Sequence, residues 1–205
     1  MGSAGVSRAR AAAIVTALLC TAPPAAHAHL VTSGLGPFYD GALHLLLSPG
    51  DLLGLAAAAL LAGLRGARAG RLAVTILPAA WLLAGLVGLS LPVTVELPWL
   101  GVLSFLVLGV LVAADLKLAP GAVAVLAGTF GALHGLFNGS ALAAAGSGLL
   151  PLIGIVATAL TIVLLISAAV VPLKTAWMRI AVRVAGSWAA AVAMLMLGWL
   201  WKAAG

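Results

Sequence analysis

Asp40, His44 and Asp51 sit inside an otherwise apolar stretch, "GPFYDGALHLLLSPGDLLGL", from Gly36 to Leu55. On a helix of 3.6 residues per turn, Asp40 and His44 are one turn apart and His44 and Asp51 two, so the three fall on one stripe. His134 lies in a second apolar run, "GTFGALHGLFNGSALAAAG", with Asn138 one turn further on the same face. Ionisable groups at membrane depth are costly and normally face a bundle interior or a watery cavity. Imidazole and carboxylate together, without thiolates, suit nickel, cobalt, zinc or copper(II). The plain alternative makes Asp51 a helix cap, Asp40 and His44 solvated residues outside the bilayer, and His134 a hydrogen-bonding group between helices.

The elements that must position these groups follow from composition. The 205 residues are 64% hydrophobic and 7% charged, with mean hydropathy +1.28. A soluble domain of this size needs a far more charged surface. The net charge of +6 does not indicate a nucleic-acid partner, because the basic residues fall in short clusters between apolar spans and form no patch with aromatics. The partner those clusters imply is the lipid bilayer. Cys20 is the single cysteine, which excludes an intramolecular disulfide and a cysteine-rich metal site.

Residues 1–28 read as a cleaved signal peptide: Arg8 and Arg10 precede the apolar run Ala11 to Cys20, and Ala26-His27-Ala28 supplies small residues at the cleavage positions. The mature domain, 29–205, then begins with His29. Its free α-amine and imidazole would make an external capture site for a divalent ion.

Six apolar spans follow: roughly Phe38 to Leu64, Leu72 to Leu91, Trp99 to Leu116, Gly121 to Gly146, Leu149 to Val171 and Trp177 to Trp201. About 18 residues at ~1.5 Å each cross the ~30 Å of hydrocarbon. The expected fold is therefore all-α, a polytopic membrane protein with six transmembrane helices after the signal peptide. The first helix is expected to break at Ser48-Pro49-Gly50, with Ser48 as cap, Pro49 at the first position and Asp51 complementing the positive helix end. A break at membrane depth needs protein or a water-filled cavity around it. Counting from Arg65 and from Gly121 places Asp51 and His134 at one level, ~20 Å from the inner face.

With the mature N-terminus outside, Arg65, Arg68, Arg71, Lys117, Lys174, Arg179 and Arg183 lie at the inner side and only Lys202 outside. This agrees with the orientation that the signal peptide demands. It sets both mature termini on the periplasmic side of a bacterial inner membrane. Trp99, Trp177, Trp199 and Trp201 fall near span ends, where indole rings favour the interface. Gly131, Gly135 and Gly139 form a ridge that lets a neighbouring helix approach closely. The expected neighbour is the first span.

At these residues the chain resembles the HupE/UreJ family of membrane proteins, associated with hydrogenase and urease maturation and regarded as nickel or cobalt permeases. That family carries a signal peptide ending near histidines, a His-Pro...Gly-x-Asp-His motif in the first helix and His-Gly-x-Ala-His-Gly-x-Glu in a later one. His44 matches the leading histidine of the first motif and Asp51 its aspartate, with one extra residue between them. His134 and Gly135 lead the second. Leu45, Leu52, Asn138 and Ala141 stand where the motifs have proline, histidine, histidine and glutamate. The resemblance implies a permease for a divalent transition-metal ion, nickel or cobalt first. The ion is cargo rather than a tightly bound cofactor, and metalloenzyme maturation proteins are the implied partners. The depleted ligand set leaves a second reading, a non-transporting scaffold or accessory subunit. A hydrolase built on Ser147 and His134 is not expected, since the two lie more than three turns apart along one element.

Overall fold

A computed structural model describes residues 33–204. The signal peptide expected at 1–28 and His29 lie outside the described residues. Among the described residues the fold is all-α and has no strand. Seven helices run α1 (Pro37–Leu47), α2 (Pro49–Leu64), α3 (Ala67–Leu89), α4 (Pro98–Ala113), α5 (Pro120–Ala144), α6 (Leu149–Val170) and α7 (Ala176–Ala204). Proline opens α1, α2, α4 and α5, where its missing N–H leaves no hydrogen bond unmade and its fixed φ suits the helix.

The break in the first span falls where Ser48-Pro49-Gly50 predicts. Ser48 is extended, at φ −93° and ψ 97°, and the axes of α1 and α2 meet at 76°. This bend corrects two expectations. Asp40, His44 and Asp51 do not share a stripe, because no straight helix runs through all three. Nor does the Ser48 side chain cap α2: its hydroxyl donates back to the His44 carbonyl at 2.7 Å. An isolated serine can bond either way, and i−4 back-bonding competes with capping.

Four helices, α3, α5, α6 and α7, are each long and apolar enough to cross a bilayer, and the bent pair α1–α2 passes the same test taken together. α4 has 16 residues, about 24 Å, which is short of the ~30 Å of hydrocarbon. The chain after Ser90 leaves the helix and bends, so residues 91–97 do not lengthen it.

α3 and α5 pack backbone to backbone. A Cβ at Gly131, Gly135 or Gly139 would overlap the carbonyl oxygens of Leu77, Trp81 and Gly85. The glycine ridge is thus a packing surface as the sequence indicates, but the helix lying in it is α3, not the first span. Glycines seat the other pairs as well: Gly54 of α2 makes room for Phe105 and Phe130, and Gly109 of α4 for the backbone of α7. Trp81, Phe105, Leu45, Leu55 and Leu77 are fully buried in the shared core.

At the end that carries Arg65, charged groups join three helices. Asp115, just past α4, pairs with Arg65 at the end of α2 and with Arg179 in the first turn of α7. Arg183 of α7 donates to the Ala113 carbonyl.

Candidate functional site

The 76° bend turns α1 away from α2 and lets residues on both sides of the break reach α5. His44 comes from the last turn of α1, Asp51 from the first turn of α2, and His134 and Asn138 from the middle of α5. Asp51 Oδ1 accepts from His134 Nδ1 at 2.5 Å, and Asp51 Oδ2 accepts from Asn138 Nδ2 at 3.0 Å. His44 Nε2 donates to Asn138 Oδ1 at 2.9 Å. The four residues form one connected chain, His44–Asn138–Asp51–His134. Asp51 occupies the helix-cap region, yet both carboxylate oxygens are engaged by α5, so capping is not its main role. His134 is only 4% exposed and Asp51 14%, and buried polar groups of this kind are tolerated because each is hydrogen-bonded.

The ring of His134 is held on all sides. Phe130 stacks on it with centroids 4.1 Å apart, and Trp81 and Phe137 flank it at 5.8 and 6.0 Å. Its Nε2 lies 2.9 Å from Ser104 Oγ of α4, while the same hydroxyl reaches the Gly101 carbonyl at 2.6 Å. A hydroxyl has one proton to donate. Given to His134, it makes Nε2 the acceptor; given to Gly101, it leaves the Ser104 oxygen to accept from an Nε2–H. Both states fit the same heavy-atom positions.

Ser104, His134 and Asp51 stand in the order of a serine–histidine–aspartate relay. Acyl transfer also needs N–H donors aimed at the developing oxyanion. Ser104 lies in mid-helix, where the backbone N–H groups are spent on the helix's own hydrogen bonds. The arrangement fixes an imidazole, and the helix leaves no backbone N–H of this kind at Ser104. Ser147 lies beyond the end of α5, its N–H bonded to the Leu142 carbonyl.

Asp40 stands apart. Its Oδ1 accepts from the Ser33 N–H and hydroxyl, both at 2.6 Å, which closes the turn before α1.

A cavity of about 360 Å³ opens beside the cluster, lined by His44, Asp51, His134 and Asn138 together with Glu96, Ala141 and Met196. One of these, Glu96, was not singled out from the sequence. Glu96, the chain's one glutamate, is exposed in the irregular segment between α3 and α4. The neighbouring Val95 N–H donates to Ser140 Oγ at 3.0 Å, which ties that segment to α5. Ala141, where the resembling motif has glutamate, lines the same space. Glu96 therefore brings a carboxylate to a cavity whose helical carboxylate position holds alanine. A lone glutamate between two spans was a usable signal, but its connection to His134 needed the loop path. Ser104 gave a fainter one, as the single hydroxyl of a 16-residue apolar helix.

Several apolar helices around a buried polar cluster define a multi-pass membrane protein. The chain belongs to the HupE/UreJ family: the profile of that family, described as HupE / UreJ protein, matches residues 16–196. No curated protein and no solved structure matches this chain.

Proposed function

We propose that this protein is a permease for a divalent transition-metal ion, nickel or cobalt, carried past His44, Asp51, His134 and Asn138. The observation that supports it best is the junction of a broken helix, an imidazole–carboxylate pair and a cavity at one place. Family membership points the same way. In this reading six spans cross the inner membrane after a cleaved signal peptide, with α1–α2 as one broken span and α4 as a short one. Both mature termini are periplasmic, and His29 captures the ion outside.

The ion enters by the cavity and meets Glu96, then Asp51. These two carboxylates balance its charge in a region that strips much of its water. His134 Nδ1 donates a hydrogen bond to Asp51. For the ion to bind there, the ring carries its proton on Nε2 instead, donating to Ser104 Oγ while that hydroxyl turns to the Gly101 carbonyl. This frees the Nδ1 lone pair and Asp51 Oδ1 for the ion. Asn138 and His44 supply a carbonyl oxygen and a second imidazole. Asp40 stays with Ser33 and takes no part.

One observation favours the accessory-subunit reading: every side-chain polar atom of Asp51, His134 and Asn138 already has a partner within the protein. A scaffold serving metalloenzyme maturation would keep such a satisfied network for rigidity. Uptake of nickel and cobalt into cells or proteoliposomes separates the two. His44→Ala, His134→Ala and Asp51→Asn are expected to abolish uptake while the protein remains inserted. Parental uptake in both histidine variants would leave the scaffold as the better account.

A further inference from the structure

At its Arg65 end the bundle is shut by an ion cluster, and the helices it ties are those that line the cavity at the other end. α2 gives Gly50 and Asp51 to the cavity, α4 gives Gly101, Val102 and Phe105, and α7 gives Met196. The same three helices carry the cluster, with Arg65 at the end of α2, Asp115 just past α4 and Arg179 in the first turn of α7. Fourteen positions separate Asp51 from Arg65, and fourteen separate Gly101 from Asp115. Fourteen residues are close to four whole turns, about 21 Å, so on α2 cavity and cluster fall on nearly one face, and on α4 the face below Gly101 runs down to Val112, three residues before Asp115.

Between the two ends those faces are closed. On α2 the stripe runs through Leu55, Ala58 and Ala62, exposed by 0, 2 and 0%; on α4 it runs through Phe105, Leu108 and Val112, exposed by 0, 2 and 0%. Small alanines on one side of the seam leave it closed by modest side chains. What fastens it is Asp115, which ends α4 at φ +50°, a left-handed conformation that aspartate accepts more readily than most residues, and which pairs with Arg65 and Arg179. Partial burial works against its charge. The hydrogen bond from Arg179 and the charges of Arg65 and Arg179 outweigh that and hold the Asp115 carboxyl below its ordinary value. Two of the seven basic residues that orient the chain are therefore not idle topogenic charges.

Resting on the permease reading, we infer that Arg65, Asp115 and Arg179 are the closed inner gate of the ion pathway, and that their separation opens the α2–α4 seam from cavity to cytoplasm. A divalent ion leaving that way meets two guanidinium groups while the gate is shut, and the charge barrier falls only when they swing out of the seam.

The test uses the full chain with Cys20→Ser, which removes the native thiol, and Ala62→Cys, one turn before Arg65. A membrane-impermeant maleimide is applied to inverted and to right-side-out vesicles without added metal. The Ala62→Cys thiol is expected to resist labelling in the parent. With Asp115→Asn or Arg179→Gln it should label from the Arg65 side at least about tenfold faster. Lys117→Gln, an exposed charge beside the cluster, should change nothing. Should Asp115→Asn fail to insert, Arg179→Gln decides, because Arg179 is 35% exposed and its replacement leaves the Arg65 pair in place. Unchanged labelling in an inserted Arg179→Gln protein overturns the gate, and it leaves the permease standing if His134→Ala still abolishes uptake. Faster labelling in a protein whose His134→Ala variant transports normally shows a latch but overturns its role as an ion gate.

Discussion

Two faces of α5 lie one residue apart in sequence and do opposite things. Gly131, Gly135 and Gly139 lie against α3 and remove side chains so that two backbones touch. His134 and Asn138, about 100° round the helix, turn to α1 and α2 and keep polar side chains in a buried place. The first face is closed by shape and has no space left; the second is closed by hydrogen bonds and opens on a cavity. One helix is thereby both the fixed wall and the working wall of the site, since α3 pins the ring-bearing turn from behind.

The difference is sharpest in paired substitutions at adjacent positions. His134→Ala should lower nickel or cobalt uptake by roughly a hundredfold or more, beyond the range that outer partners of a metal ligand command, with little change in the amount of folded protein. Gly135→Val should do the reverse: the added carbons strike the Trp81 carbonyl, destabilising the fold by about 1–3 kcal/mol. Its uptake per folded molecule, measured against a thermal melt in detergent, should stay near parental. If Gly135→Val transports poorly per folded molecule, the two faces are not separable.

Ser104→Ala probes the working face more gently. It removes the hydroxyl beside His134 Nε2 and should cut apparent metal affinity by about tenfold, the lower end for an outer-shell partner. The smallest effect belongs to Asp40→Asn, expected to change uptake by no more than about twofold, because its partner is Ser33 and its hydrogen bonds lie near the surface. A large loss there would return Asp40 to the pathway.

Much of this was readable in the chain. Apolar runs located the helices to within a few residues, since burial in lipid demands length and apolarity and little else. Ser48-Pro49-Gly50 marked the break, because proline and glycine act locally on the backbone. Depth counting along two helices put Asp51 level with His134. What the residues did not carry was direction across the bundle. The 76° bend cannot be read from Pro49 alone, and it moved Asp40 away from the site. The glycine ridge announced a close neighbour without naming α3. Glu96 and Ser104 reach the cluster from elements distant in sequence, and Arg65 and Arg179 looked like topology signals until Asp115 was seen between them.

The shortness of α4 has an electrical consequence. A full membrane potential acts on each elementary charge with about 2.3 kcal/mol per 100 mV, so about 4.6 kcal/mol per 100 mV for a divalent ion. That field drops where the dielectric is low. In the proposed permease, with water in the cavity that reaches Asp51 and only 16 residues in α4, the drop concentrates over the closed seam between Asp51 and Arg65. On that reading a cation at the cluster would have felt little of the voltage, and nearly all of the inward pull would act on its next step.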